Sequence, residues 1–134
     1  MPLISKTRPV ILYADNEVGN LISFHAIFRR DYKIISASSV KEALGVLEKD
    51  RVEIIICSKY INEMSGIDFL ALTLSLCPNC IRLLVSDYIN QDLENKARIF
   101  DYLIKPWDEV QLGKILQEGH ELFMIKELIT NNFW

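Results

Sequence analysis

Short runs of strand-forming residues alternate with helix-spaced apolar residues along this chain, and that alternation leaves few folds open. Val10–Ala14, Ile34–Ala37, Val52–Cys57, Ile81–Val85 and Tyr102–Ile104 read as five strands. Several are too continuously apolar for a sheet with one wet face, which points to burial on both faces. Between them, Leu21, Phe24, Ile27 and Phe28 recur at helical spacing, as do Val40, Ala43, Leu44 and Leu47. Ser39 with Glu42 three residues later forms a capping box before that second run. Leu112, Ile115, Leu116, Leu122 and Phe123 mark a long last helix, with Gly119 on the same face. Strand and helix in strict alternation, with short connections, predict a (βα)5 three-layer α/β sandwich around a parallel five-stranded sheet.

One segment is ambiguous. Leu70, Leu72, Leu74 and Leu76 alternate with Ala71, Thr73 and Ser75, and period two argues for a strand. Leu and Ala favour helix, however, and the rhythm of the fold needs a crossover here. A helix is expected.

The 134 residues are 50% hydrophobic and 25% charged, enough for one folded domain with a real core. The net charge of −3 and the absence of a basic block argue against nucleic-acid or membrane-surface binding. The longest weakly polar stretch, Phe69–Cys80, is too short and interrupted for a membrane span. The first nine residues hold no signal-peptide core, so a cytoplasmic location is expected. Three cysteines do not make a disulfide framework.

In an open parallel sheet, ligands gather beyond the carboxyl ends of the strands. Here those ends read Asp15-Asn16-Glu17, Cys57-Ser58-Lys59, Ser86-Asp87 and Lys105-Pro106-Trp107. From Pro9 to Phe123 this constellation resembles the receiver domain of bacterial two-component response regulators. Val52–Ser58 is similar to that family's third strand. Glu63–Leu70 is similar to the loop and helix start that follow. Tyr102-Leu103-Ile104-Lys105-Pro106-Trp107 is the most specific match, similar to receivers attached to HD-GYP phosphodiesterases and to some transcriptional regulators. The resemblance implies a strand order 2-1-3-4-5, as in the receiver and flavodoxin-like group. It also implies a non-enzymatic module in phosphorelay signal transduction, with a protein partner or an attached output domain. The expected organisation is an N-terminal extension over 1–8, a receiver-like domain over 9–129 and a C-terminal tail over 130–134.

Carried over by position, Asp15 matches the first acidic residue of the family's metal pair, and Asn16 stands where the second is usual. Ser58 stands where the phosphoacceptor aspartate is expected. Ser86 matches the hydroxyl switch residue, Tyr102 the aromatic switch residue, and Lys105 the phosphate-contacting lysine. Ile61-Asn62 replaces the usual Met-Pro. A phosphoryl group on Ser58 would be a stable ester, and that hydroxyl needs a base that no histidine supplies. Mg²⁺ prefers a site with carboxylates, and the matching set of Asp15, Asn16, Ser58 and Lys105 is formally neutral. Mg²⁺ binding is therefore expected to be weak or absent, no metal ligand is assigned, and Lys105 is expected to pair directly with Asp15. The expected product is a pseudo-receiver that acts by protein contact. The alternative is a receiver that still binds a phosphoryl group or metal through Asp15 and its neighbours, with Glu17 or Asp87 restoring some charge. From Ser86 to Lys105 is 19 positions, fewer than the family usually has, so the fourth helix, around Asn90–Ile99, is expected to be short and the hydroxyl–aromatic switch not to work.

Cys77-Pro78-Asn79-Cys80 is a C-x-x-C, but it follows a helix and precedes a strand, the reverse of a thioredoxin-type site. A small redox protein is the weaker alternative. His25 is expected to be a partly buried structural residue and His120 a solvated one. No dinucleotide or P-loop glycine motif is present. No charge occurs from Phe69 through Ile81, and apolar residues Ile125, Leu128, Ile129, Phe133 and Trp134 continue beyond the last helix's core stretch. Both features suggest a partner surface, including a homodimer through the third helix or the C-terminal helix.

Overall fold

Val10–Ala14 forms β1, the second strand of a five-stranded parallel sheet. The computed structural model describes residues 8–62, 64–86 and 95–132. Glu63, Asp87, Phe133, Trp134, most of the N-terminal extension and the first part of the expected fourth helix lie outside the described residues.

The elements follow in order as α1 (Val18–Phe28), β2 (Lys33–Ala37), α2 (Val40–Lys49) and β3 (Ile54–Ser58), then a two-residue hairpin, β4 (Tyr60–Ile61) and β5 (Met64–Ser65). Next come α3 (Gly66–Leu72), β6 (Ile81–Val85), β7 (Ile99–Leu103) and the last helix, α4 (Glu109–Asn132). The sheet order is β2-β1-β3-β6-β7, which is the expected 2-1-3-4-5. In register, Tyr13 faces Ile56 across β1 and β3, and Ile56 faces Leu83 across β3 and β6.

Alternate residues of each strand feed two cores, as a pleated sheet requires. Ile11, Tyr13, Ile54 and Ile56 point to α1 and α4, where Phe24, Phe28, Leu116 and Phe123 meet them. Leu12, Ala14, Ile55 and Cys57 point to the other face, against Ala43, Phe69 and Leu70 of α2 and α3. β3 is buried at all five positions, so the continuous apolar run was the correct signal for the central strand.

Helix ends are set by short polar side chains. Ser39 accepts from the Glu42 N–H at 3.1 Å, the first half of the expected capping box. The Glu42 carboxylate turns instead to the Ser38 N–H and hydroxyl, at 2.7 and 2.9 Å. α3 is capped by Ser65, which accepts from the Asp68 N–H at 3.1 Å, and it ends at Leu72. The Leu/Ser/Thr stretch is therefore helical only in its first half; Thr73–Leu76 continue as turns. Residues 95–97 are helical, and Arg98, with φ 52°, turns the chain into β7. β7 starts at Ile99, earlier than the sequence suggests. α4 passes through Thr130 without a break. Among the described residues no helix is long and apolar enough to cross a membrane.

Gly66 lets α3 begin against the end of β3. A Cβ there would lie 2.1 Å from the Ser58 carbonyl oxygen and 2.8 Å from Leu84 Cδ1. The Gly66 N–H donates to the Lys59 carbonyl at 2.7 Å, so the helix start cannot back away without losing that bond. Gly66→Ala is expected to destabilise the fold by about 1–3 kcal/mol, the usual cost of overpacking. A urea denaturation midpoint unchanged from wild type would show that α3 can shift freely.

Candidate functional site

The carboxyl ends of β1, β3, β6 and β7 meet at one edge of the sheet, because every crossover in a parallel sheet returns the chain in the same direction. They enclose a cleft of about 500 Å³ lined by Asp15, Asn16, Glu17, Ser58, Lys59, Tyr60, Val85, Ser86, Leu103, Ile104 and Lys105. Five of the six residues singled out from the sequence are therefore together. Tyr102 is not among them. Its half-buried ring packs on the opposite core, and it lines a separate cavity of about 300 Å³ with Trp107 and Ile115.

Asp15 is 1% exposed. Its carboxylate accepts three hydrogen bonds: the Tyr13 hydroxyl at 2.9 Å, the Asn20 side-chain amide at 3.0 Å and the Glu17 N–H at 2.9 Å. An ionised carboxylate offers about four lone-pair directions, so most of its capacity is used. The expected direct pair with Lys105 is not formed. Lys105 is exposed, and no ion pair joins it to Asp15 among the described residues. The reason is desolvation: an ammonium drawn into a buried site loses its hydration, whereas neutral donors from β1 and α1 satisfy the carboxylate at lower cost.

Tyr13 and Asn20 were not legible as site residues. Tyr13 reads as one more apolar strand residue, but its hydroxyl reaches the residue two positions on, on the same face. Burial, and then the Asp15 carboxylate, push the Tyr13 phenol well above its ordinary range. The ring is held edge-on by Phe24 and Trp107, with centroids at 5.1 and 6.2 Å. Trp107 Nε1 also donates to Ser23 Oγ at 3.2 Å, so the Lys105-Pro106-Trp107 loop is latched onto α1.

Ser58 is 9% exposed, and its hydroxyl donates to the Tyr60 carbonyl at 2.6 Å. The hairpin that makes this contact is turned by Asn62, with φ 54°. Asn tolerates that left-handed conformation better than most residues. Asn16 is exposed at the mouth of the cleft. Ser86 is buried, and its N–H donates to the Leu103 carbonyl at 2.9 Å, tying β6 to β7. Among the described residues the charged lining consists of two carboxylates, Asp15 and Glu17, and two ammoniums, Lys59 and Lys105, which balance. Among the described residues no group of three or more His, Cys, Asp or Glu side chains is arranged to hold a metal ion.

Both histidines depart from expectation. His25 is exposed, not partly buried. His120 is half-buried, and its Nδ1 lies 2.7 Å from the carboxylate of Glu53, which is itself buried beneath α4. A buried carboxylate needs a partner, and α4 supplies one.

Residues 11–117 match the response regulator receiver domain family. Among curated proteins, the hydrogenase transcriptional regulatory protein HoxA of Bradyrhizobium diazoefficiens is 28% identical over 121 residues, which is 87% of this chain and 25% of that protein. HoxA of Cupriavidus necator is 25% identical over 108 residues, 78% of this chain and 22% of that protein. The chain spans about a quarter of the length of these curated relatives. Among solved structures, the signal receiver domain of an HD domain-containing protein from Pseudomonas fluorescens Pf-5 superposes with a TM-score of 0.84 at 25% identity, covering 95% of this chain and 98% of that one. A CheY-like receiver domain protein from Methanospirillum hungatei JF-1 shares the fold, with a TM-score of 0.81 at 19% identity, covering 90% and 99%.

The Tyr13–Asp15 bond gives the site a measurable signature. Tyr13→Phe is expected to cost about 1.5–3 kcal/mol at neutral pH, the range for a hydrogen bond to a charged group. Because the folded-state phenol is raised, its contribution is complete below about pH 10 and is lost as the pH rises further. The variant should therefore lose less stability than wild type between mildly and strongly alkaline pH. Parallel pH curves in urea unfolding would show that Tyr13 does not carry this linkage.

Proposed function

The chain belongs to the response regulator receiver domain family, and from that premise we propose that it is a pseudo-receiver, a cytoplasmic, non-enzymatic signalling module that takes no phosphoryl group on aspartate and acts by contact with another protein. The observation that carries this reading is Ser58, placed at the end of β3 where the family's phosphoacceptor is expected. Its hydroxyl is a poor nucleophile without a base, and it is committed to the Tyr60 carbonyl.

The donor set does not fit the divalent cation that receivers use. Mg²⁺ demands octahedral oxygen ligands and favours carboxylates. Asn16 and Ser58 supply no carboxylate, and Asp15 is turned toward Tyr13 and Asn20. Among the described lining residues the charges balance, which weakens the electrostatic reason for a cation to enter. Ser86 and Tyr102 keep the positions of the family's switch pair, but in this reading no phosphoryl oxygen arrives to move them.

What remains is surface. α4 leaves Met124, Ile125, Leu128 and Ile129 at 48, 54, 62 and 53% exposure, a stripe at helical spacing. Leu72 and Leu76, at the end of α3 and in the turn after it, are exposed as well. Contiguous exposed apolar side chains mark contact sites. The partner is an output segment of a longer chain, as the curated relatives' greater length suggests, or a second copy docked along α4.

Two experiments test the proposal. Incubation with Mg²⁺ and a small phosphodonor, followed by intact mass, should give no phosphoryl adduct; a hydroxylamine-labile adduct in this cleft would overturn it. Ile125→Glu with Leu128→Glu should leave stability within about 0.5 kcal/mol per substitution, as for exposed positions. The same pair should abolish self-association in sedimentation, or binding of the output segment. Unchanged association would remove α4 as the contact surface.

A further inference from the structure

At the other end of the sheet, before β6, a second chemical site comes into view. Arg82 is 2% exposed in the middle of the fold, and among the described residues no carboxylate pairs with it. Its guanidinium is spent on the chain end of α3 and the loop after it. Nε donates to Thr73 Oγ1 at 2.8 Å, Nη2 to the Thr73 carbonyl at 3.0 Å, and Nη1 to the Cys80 carbonyl at 2.6 Å. The same Nη2 donates to the Cys77 carbonyl and lies 3.9 Å from Cys77 Sγ. A buried cation without an anion is costly, and the Cys77 thiol, 3.9 Å from Nη2, is a group able to become its anion.

The two cysteines are held for each other. The Cys80 N–H donates to the Cys77 carbonyl at 3.2 Å, closing a four-residue turn. Such a turn keeps its first and last Cα atoms within about 7 Å, the span a disulfide needs. Cys77 is half-buried and reachable, whereas Cys80 is 3% exposed, with its thiol donating to the Val52 carbonyl at 3.0 Å. Asn79, between them, fixes the loop on α4 by donating to Glu127 at 2.7 Å and to Thr130 at 3.2 Å.

We propose that Cys77 and Cys80 form a redox-active dithiol, with Cys77 as the attacking sulfur, Arg82 as its counter-ion and Cys80 as the resolving thiol. The position after a helix argues against this from sequence, because helix C-termini disfavour anions; the buried Arg82 reverses that local charge. The Cys80 thiol and then the Arg82 cation hold the Cys77 thiol below its ordinary range, against the effect of burial. Cys80 is pushed up by its closeness to Cys77 and by burial, so it stays protonated while Cys77 attacks. Cys57, 0% exposed and raised mainly by burial, is inert.

The substrate class is a low-molecular-weight disulfide. The Cys77 thiolate attacks one sulfur, the small disulfide's S–S bond breaks, its other half departs as a thiolate, and a mixed disulfide forms on Cys77. Cys80 then displaces the second small thiol, and its proton passes to the departing sulfur. The two protein sulfurs give up two electrons, and the small disulfide becomes one thiolate and one thiol.

Oxidised glutathione is the probe, read by acid quench, alkylation and peptide mapping of the full chain. Wild type should yield a Cys77–Cys80 disulfide with Cys57 still free. Cys80→Ser should stop at the glutathione adduct on Cys77, and Cys77→Ser should leave both remaining thiols free. Iodoacetamide should label Cys77 about tenfold faster in the folded chain than in urea at neutral pH. Arg82→Gln should erase that difference; should it unfold, the folded-against-urea comparison stands by itself. Three free thiols in wild type after oxidised glutathione, or Cys77 labelling no faster folded than unfolded, would overturn the proposal.

Discussion

A parallel sheet delivers every strand's carboxyl end to one edge, and in this chain the described residues of that edge are organised around the buried carboxylate of Asp15. Asp15 sits almost without solvent, held by a phenol from its own strand, an amide from α1 and a backbone N–H. Those three donors are neutral. They fix the carboxylate without adding positive charge, and they leave Lys105 in water at the rim. Tyr13 in turn is clamped by Phe24 and Trp107, so the loop after β7, helix α1 and the Asp15 site form one packed unit. The polar cleft and the aromatic core behind it are thus mechanically one object.

The sheet was almost entirely legible in the sequence. β1 and β3 announce themselves because a strand buried on both faces needs no alternation, and Ile54, Ile55 and Ile56 leave no other reading. The helices against the first core were equally plain, since Leu112, Leu116 and Phe123 repeat at helical spacing. Where the pattern was ambiguous, the structure is too: α3 is helix through Leu72 and turn beyond it, and the Leu/Ser/Thr alternation carries no information about where that change falls. Just past its end the Arg82 guanidinium donates to the Thr73 carbonyl, alongside the Leu76 and Cys77 N–H groups. A strand residue nine positions on cannot be read as a helix stop.

At the site, positions were legible and interactions were not. Asp15, Asn16, Ser58, Ser86 and Lys105 line one cleft because strand ends must. Formal charges suggested that Asp15 and Lys105 would pair; hydration decided otherwise, because a carboxylate already bonded by neutral donors gains little from a lysine that must be dried to reach it. The roles of Tyr13, of His120 beside Glu53 and of Arg82 beside Cys77 all involve polar atoms on residues that pattern reading counts as core or surface. Such polar partnerships depend on which strands and helices become neighbours, so they become visible only once the topology is known.

In the proposed reading this cleft holds, among its described residues, an internally bonded carboxylate in place of a cation site. Calorimetric titration of Mg²⁺ tests it most directly, comparing the natural chain with an Asn16→Asp, Ser58→Asp variant that returns two carboxylates to the cleft. The account predicts no binding heat for the natural chain and a saturable, salt-sensitive site in the variant. Saturable Mg²⁺ binding by the natural chain, at an affinity equal to the variant's, would contradict it.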